Sequence, residues 1–239
     1  MKKCISDCFC LTENNEATHT WTLTTHDPSK SPLEELAACL ADKIVEQQCI
    51  SVPRYYEAWQ KKFYENVAIE PKMKKALLAF LKPVFGEPNA PNPISPNHLE
   101  GYVGEMLWFF LSKESSTEEI VYIDPPSFKV TEQGGDGFII HRTPSLDLLF
   151  RLWEMKKFVP GPNNSAAQIS GTISTAYSQL NERSLEYLAR YTKIGQHSQD
   201  TPEIASFCGQ LVELWIDASP QAAVGVSVAT SAAHVPQTA

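Results

Sequence analysis

One apolar segment, residues 148–158 (LLFRLWEMKKF), constrains the fold most, because it places charged side chains where a core is expected. Alternate residues of a β-strand point to the same face of the sheet. Read as a strand, the segment puts Glu154 and Lys156 on the same face as its apolar residues at positions 150, 152 and 158. Burying a carboxylate and an ammonium without partners costs several kcal/mol each. The pair of charged residues therefore indicates a functional site rather than two ordinary packing positions.

A second carboxylate lies 18 residues upstream, in the segment Gly134-Gly135-Asp136-Gly137. Glycines allow the backbone to turn sharply. We therefore expect Asp136 to stand at the mouth of a strand that runs over residues 137–142. With Glu154 and Lys156 it forms the pattern D-x17-E-x-K, which is how a metal-dependent nuclease site is commonly written in a sequence.

Glu105 is the third candidate carboxylate. A helix is predicted from Asn97, which can cap it with Glu100 at the third position. On this helix the neighbours of Glu105 at three and four residues' distance are glycine or aromatic, so its carboxylate is directed into a core or along the edge of one. These neighbours are Gly101, Tyr102, Trp108 and Phe109.

Three carboxylates from three elements, with an amine beside the last, predict a metal site. Hard oxygen ligands suit Mg²⁺ (or Mn²⁺), which binds between carboxylates and phosphate oxygens. We expect Asp136 and Glu154 as direct ligands, the Met155 carbonyl as a further ligand, and Glu105 as a ligand or outer-shell base. Lys156 would orient the attacking water and offset negative charge at phosphorus. The predicted reaction is the hydrolysis of a phosphodiester bond.

Several residues leave alternatives open. Asp124 competes with Asp136 as the metal aspartate, and Glu154 and Lys156 can also be read as a salt bridge on the solvated end of a hairpin arm. His141 can contact substrate or be a structural histidine. On the helix after the lysine strand, Gln168 and Gln179 can reach a phosphate or face solvent. Lys157, on the face opposite Lys156, is either structural or a contact to the nucleic-acid backbone.

The order of predicted elements gives a mixed α/β chain. Prolines are frequent over residues 83–97, which we read as a linker between an N-terminal, mainly helical region (1–96) and the region that carries the site (97–239). The hairpin 137–142/147–158 is expected to be antiparallel. The helices are predicted at about 32–48, 54–66, 71–82, 97–110, 165–189 and 202–216, and the strands of the second half of the chain at about 119–123, 127–131, 137–142, 147–158 and 222–229.

Composition limits the functional classes. The net charge is −8, with 20 basic and 28 acidic residues, so the chain lacks the overall basic character of a protein that grips nucleic acid alone. Either a local patch, such as Lys72, Lys74 and Lys75, or a partner would supply the contacts to nucleic acid; a solvated helix face also explains those lysines.

The six cysteines form no CxxC pair and indicate reduced thiols, although a metal site at positions 4, 8 and 10 is an alternative. With no apolar run long enough for a membrane span and no expected signal peptide, a cytoplasmic protein is predicted.

The pattern resembles the PD-(D/E)XK nuclease superfamily, which has the restriction-endonuclease-like fold. The resemblance covers about residues 97–230 and rests on Glu105, Gly135-Asp136-Gly137 and Glu154-Met155-Lys156. It implies a mixed β-sheet flanked by helices, here preceded by a helical N-terminal region. Gly135 stands where the superfamily has a proline.

More narrowly, the chain resembles the nuclease subunits of the Hachiman anti-phage defence system, through its overall arrangement and the surroundings of Asp136 and Glu154. This resemblance implies DNA as the substrate, a helicase subunit as the partner and no membrane association. A partner that binds DNA would also explain the acidic balance. The alternatives are a stand-alone or second-messenger-activated nuclease acting on DNA or RNA, and a non-catalytic interaction subunit whose carboxylates are structural.

Overall fold

The chain divides by its internal contacts into two units. The computed structural model describes residues 4–15, 20–87, 90, 93–129, 136–158, 166–193 and 202–230. The first unit comprises Met1–Glu114 and Ser127–Glu132, and the second comprises Ser115–Pro126 and Gln133–Ala239. The helix that begins at Pro96 thus falls with the first unit, whereas the sequence grouped it with residues 97–239; the domain boundary itself stays a prediction.

The first unit contains a β-hairpin and four helices. The hairpin follows a short 3₁₀ turn, Ser6–Cys8, and pairs β1 (Phe9–Asn15) with β2 (Thr20–His26) in antiparallel register. The helices are α1 (Leu33–Gln48), α2 (Pro53–Glu65), α3 (Pro71–Phe85) and α4 (Pro96–Ser115).

Buried polar contacts join the helices of the first unit. The Tyr56 hydroxyl of α2 donates to Asp42 Oδ2 of α1 at 2.8 Å. The side-chain amide of Gln48, at the end of α1, donates to the Tyr102 hydroxyl of α4 at 2.7 Å. Because a buried polar group is costly without a partner, these bonds fix which helices can be neighbours. The second bond explains why α4 groups with the helices that precede it.

Two sequence expectations about irregular segments were wrong. The linker predicted over 83–97 is shorter, because α3 continues through Pro83 to Phe85 and α4 begins at Pro96. Proline at the first position of a helix loses no hydrogen bond, since that N–H has no helical partner. Gly86, with φ of 76°, ends α3. The strand predicted at 127–131 is absent over 127–129, and residues 130–131 lie outside the described part of the chain.

Over its described residues, the second unit is a four-stranded mixed sheet with two helices, which confirms the mixed α/β class. The strand order is β3-β4-β5-β6; β5 and β6 are parallel and the other pairs are antiparallel. The parallel pair is connected through both helices. The elements are β3 (Glu119–Ile123), β4 (Gly137–Arg142), β5 (Leu148–Phe158), α5 (Ala166–Tyr191), α6 (Pro202–Ile216) and β6 (Ala222–Thr230).

The two helices cover one face of this sheet. Phe150 and Leu152 of β5 are buried in one core cluster with Leu180 of α5 and with Phe207 and Leu211 of α6. Residues 154 and 156 share this face because side chains alternate along a strand. The predicted charged pair therefore lies on the face of β5 that the helices cover.

On the opposite face of the sheet, the Trp153 side chain of β5 lies over Gly225, its paired residue on the neighbouring strand β6. A Cβ atom added at Gly225 would lie 2.5 Å from the Trp153 ring, so only glycine fits beneath this indole. Across the residues that the structure describes, no helix is both long enough and apolar enough to cross a membrane.

Candidate functional site

Asp136 is held against strand β5 by its own side chain. Strand β4 begins at Gly137, which pairs with Trp153, so Asp136 stands where the β4–β5 ladder starts. Its Oδ2 accepts a hydrogen bond of 2.7 Å from the backbone N–H of Met155. The N–H and C=O of a strand residue point to the same edge of the strand, so the Met155 carbonyl also points toward the side of Asp136. Gly134 and Gly135 lie outside the described residues.

Glu154 is the most deeply buried charged residue of the site. It is 1 % exposed, on the face of β5 that α5 covers. Lys156 Nζ donates to Glu154 Oε1 at 2.5 Å and to Gln179 Oε1 of α5 at 3.0 Å. The second carboxylate oxygen, Oε2, is buried and has no N–H donor among the described residues, and the neighbouring Asp136 carboxyl can hydrogen-bond to Glu154 only in its protonated form. When both carboxyls are ionised this oxygen has no donor, which is costly, so either a proton shared with Asp136 or a cation would stabilise the pair.

The electrostatics of Asp136 point the same way. Burial, together with the negative charge of the neighbouring Glu154 carboxylate, raises the pKa of Asp136 to about 6. The Met155 N–H and the Lys156 ammonium act in the opposite direction but do not cancel this rise. Two adjacent carboxylates resist ionising together unless positive charge stabilises both. The Lys156 ammonium and the Arg183 guanidinium supply positive charge to this pair, and a divalent cation would stabilise the two ionised carboxylates further.

Helix α5 contributes more to the site than the sequence indicated. Gln179, Arg183 and Tyr187 follow one another at intervals of four residues, so they share one face of the helix. Tyr187 is buried, and its pKa is raised by burial and by the charge of Glu154. The Arg183 guanidinium lies over the Tyr187 ring at 4.8 Å from the centroid. Sequence analysis named Gln179 but missed Arg183 and Tyr187, although the four-residue spacing from Gln179 would have found them.

The structure brings Asp136, Glu154 and Lys156 together, as the pattern predicts. Lys157 is half-buried on the opposite face of β5, in register with Ala229. Gln168 lies on α5, but its side chain is outside the described part of the structure. The substrate contacts expected of these two residues stay predictions.

Glu105 lies on α4 in the first unit, half-buried near Tyr102. Burial, with a smaller contribution from Glu105, raises the pKa of Tyr102 to about 12. Within the described ranges, no group of three or more histidine, cysteine, aspartate or glutamate side chains is arranged to hold a metal ion. The third carboxylate of the predicted site therefore stays a prediction.

Asp124, the competing aspartate, has partners of another kind. Its Oδ1 accepts a hydrogen bond of 3.0 Å from the Tyr122 hydroxyl, and the Tyr191 hydroxyl also bonds to its carboxyl. Burial raises the pKa of Asp124. A buried carboxyl between two hydroxyls is a satisfied structural group, so Asp136 is the better metal aspartate.

His141 faces away from the site. Its neighbours Phe138 and Ile140 belong to the core cluster on the face of Glu154, so His141 points to the other face. It is 4 % exposed, and its Nδ1 lies 3.3 Å from Glu118 Oε2. Burial lowers the pKa of His141, with the positive charge of Arg151 adding to the effect. This environment fits the structural alternative rather than a substrate contact.

The donor set fits a divalent cation. Carboxylate oxygens of Asp136 and Glu154 and the Met155 carbonyl are hard ligands of the kind that Mg²⁺ and Mn²⁺ take. A cation between the two carboxylates would supply a partner for Glu154 Oε2 and would lower the pKa of Asp136. Compared with models of protein families, with curated proteins and with solved structures, the chain shows no match.

Proposed function

We propose that this chain is a metal-dependent nuclease that hydrolyses phosphodiester bonds of DNA. The observation that carries the proposal is the meeting of Asp136 and Glu154 beside Lys156 where strands β4 and β5 part. Asp136, Glu154 and the Met155 carbonyl would hold Mg²⁺ or Mn²⁺. The role of Glu105, as a ligand or outer-shell base, remains a prediction from the sequence.

Each residue of the site then has a chemical task. A bound divalent cation supplies Lewis acidity for the phosphate and for the attacking water. The Met155 N–H fixes the carboxyl of Asp136. Gln179 accepts a hydrogen bond from the Lys156 amine, so the amine would keep a defined position if Glu154 also served as a metal ligand. Lys156 orients the water and offsets the negative charge that develops on the phosphate.

The arrangement of elements supports membership of the PD-(D/E)XK superfamily. Along the chain a helix, three strands, two helices and a strand follow one another, and β5, which carries Glu154 and Lys156, lies centrally in the sheet. The antiparallel β3-β4-β5 meander followed by a parallel β6 is consistent with the mixed sheet that the resemblance implies. Gln168 and Lys157 are proposed to contact the nucleic acid.

The biological setting follows from the narrower resemblance. We assign the chain to the effector subunit of a Hachiman-type anti-phage complex, in which a helicase subunit controls the nuclease in the cytoplasm. The net charge of −8 supports this, because a helicase partner would supply contacts to duplex DNA that an acidic protein does not make over most of its surface. Copurification with an ATP-dependent helicase tests this part separately from the chemistry.

Nicking of supercoiled plasmid by the purified chain tests the activity. We expect nicking with Mg²⁺ or Mn²⁺, none with a chelator, and a loss of about a hundredfold or more in Lys156→Ala with an unchanged circular-dichroism spectrum. Lys193→Ala, an exposed lysine of the same unit, is the matched control. Equal cleavage by Lys156→Ala and the parent protein would overturn the site. A single-stranded RNA substrate in parallel separates DNA from RNA specificity.

A non-catalytic interaction subunit is the second candidate. It is favoured by the absence, among the described residues, of a third acidic, histidine or cysteine side chain grouped with Asp136 and Glu154. This alternative predicts no cleavage of any nucleic acid, with or without the helicase partner, and no change in stability on adding Mg²⁺.

A further inference from the structure

The helical hairpin α2–α3 has a charge opposite to that of the chain. Residues 53–82 hold seven basic and three acidic residues, whereas the remainder of the chain holds 13 basic and 25 acidic. A local positive surplus on an acidic protein marks a surface for a polyanion more clearly than the same lysines would on a basic protein. The surplus is densest over residues 61–75, which contain five lysines and two glutamates.

These residues form one end of the hairpin, which we call the α2–α3 tip (residues 61–75). Asn66, with φ of 55°, ends α2, and α3 begins at Pro71, so the last turn of one helix and the first turn of the next lie at the same end. The five lysines of the tip are all exposed. They are Lys61, Lys62, Lys72, Lys74 and Lys75.

Aromatic rings are exposed among these lysines. Phe63 is 46 % and Tyr64 59 % exposed, and Val67 beside them is 47 % exposed. The Phe63 ring stacks on Trp59 at a centroid distance of 5.1 Å and an interplanar angle of 20°. Tyr64 meets Phe63 edge-on at 5.0 Å. Because Phe63 is held by Trp59 on one side, the tip presents a supported aromatic surface to solvent.

We propose that the α2–α3 tip binds single-stranded nucleic acid. The lysines would contact successive phosphates, and Tyr64 and Phe63 would stack with unpaired bases. An ordinary solvated helix face accounts for the lysines but not for the exposed aromatic rings between them. A two-fold contact with a second copy would bring the five lysines of one tip against those of the other, which like-charge repulsion disfavours.

This proposal goes beyond the nuclease function and is tested without cleavage. The full-length protein, kept in chelator, is titrated against a fluorescein-labelled dT20 oligonucleotide and against a labelled duplex of equal length, with fluorescence anisotropy as the readout. We expect tighter binding of the single strand than of the duplex. The affinity for the single strand should fall steeply between about 50 and 200 mM salt, because binding releases counterions from the phosphates. Each phosphate contact contributes roughly 0.7 to the slope of log affinity against log salt concentration.

Matched variants assign the binding to the tip. Lys72→Ala/Lys75→Ala is expected to weaken dT20 binding about tenfold and to flatten the salt dependence, while Lys129→Ala/Lys193→Ala, which removes the same charge from exposed positions elsewhere, leaves both unchanged. Tyr64→Ala is expected to weaken dT20 binding about tenfold and duplex binding less, because paired bases are not free to stack. Tyr177→Ala, an equally exposed tyrosine on α5, is its control.

Several results would overturn the proposal. Two of them are unchanged dT20 binding in both tip variants and an equal loss of dT20 binding in the control variants. If poly-glutamate displaced dT20 as effectively as unlabelled DNA does at the same concentration of negative charge, the tip would be a site for acidic protein. A change of oligomeric state in the tip variants, measured by light scattering and without an effect on dT20, would make it a contact between copies. None of these results bears on plasmid nicking.

Discussion

The backbone N–H of Met155 donates to the carboxylate of Asp136 at 2.7 Å, which fixes an acidic side chain outside the sheet to the strand that carries Glu154 and Lys156. The bond uses a backbone group at the point where β4 no longer pairs with β5. The two carboxylates are therefore placed by the sheet itself, and their mutual repulsion is opposed by the Met155 N–H and, to a smaller extent, by the Lys156 ammonium.

Divalent metal is expected to stabilise the protein through this site. A ligand that binds only the folded state at a hundred times its Kd adds about 2.7 kcal/mol to the free energy of unfolding. For a chain of this size that corresponds to a rise in Tm of roughly 5 °C or more, measured by thermal unfolding with Mg²⁺ and with chelator. Glu154→Gln should abolish the rise, whereas the exposed Glu213→Gln should keep it. An equal rise in both variants would place the metal elsewhere.

Asp136→Asn is expected to stabilise the metal-free protein at high pH. Because the folded-state pKa of Asp136 is about 6 and its ordinary value is 3.8, the folded protein keeps this proton where the unfolded chain has lost it. Asp136 thus contributes stability that is complete below pH 3.8 and is lost as the pH rises through about 6. The loss amounts to as much as about 3 kcal/mol at pH 8.

Urea unfolding in chelator from pH 4 to pH 8 measures this effect. The asparagine variant keeps an acceptor for the Met155 N–H, so its free energy of unfolding should exceed that of the parent at pH 8 and approach it at pH 4. Asp217→Asn, at an exposed position, is the control. A variant less stable than the parent at pH 8 would contradict the account of a strained carboxylate pair.

Gln179→Leu is expected to lower the turnover of the proposed nuclease without weakening substrate binding. The amide oxygen of Gln179 is one of the two acceptors of the Lys156 amine, at 3.0 Å, so its loss leaves the amine less well positioned. We expect a fall of about tenfold in kcat with KM little changed, a split that separates positioning from binding. An increase in KM with kcat unchanged would instead make Gln179 a substrate contact.

Gly225→Ala tests the packing of the Trp153 side chain of β5 over Gly225 of β6. Its new Cβ would lie 2.5 Å from the Trp153 ring, so the indole or the strand must move. We expect a loss of about 2 kcal/mol or more in the free energy of unfolding by urea. Gly209→Ala in α6, where no atom lies within 4 Å of the added Cβ, should stabilise instead, by about 0.5–1 kcal/mol. Equal effects of the two substitutions would contradict this packing.

The sequence was most informative in the strand, where side chains alternate between the two faces of the sheet. Alternation along 148–158 assigned Glu154 and Lys156 to the face of Phe150 and Leu152, and the structure buries that face beneath α5 and α6. Asp136 was found because its spacing from Glu154 and Lys156 completes the pattern D-x17-E-x-K. Which face of α5 turns toward the sheet depends on tertiary packing, so Arg183 and Tyr187 were missed. The ends of α3 and α4 were misjudged because prolines were read as breaks, although Pro96 starts a helix.

The position of a bound metal tests the central claim most directly. Crystals soaked in Mn²⁺ give an anomalous signal at the ion, which locates it without reference to any assumed ligand. We predict a peak about 2.0–2.3 Å from carboxylate oxygens of both Asp136 and Glu154, with the Met155 carbonyl as a further ligand. A fully occupied Mn²⁺ at another group of residues, with no peak between these two carboxylates, would contradict it.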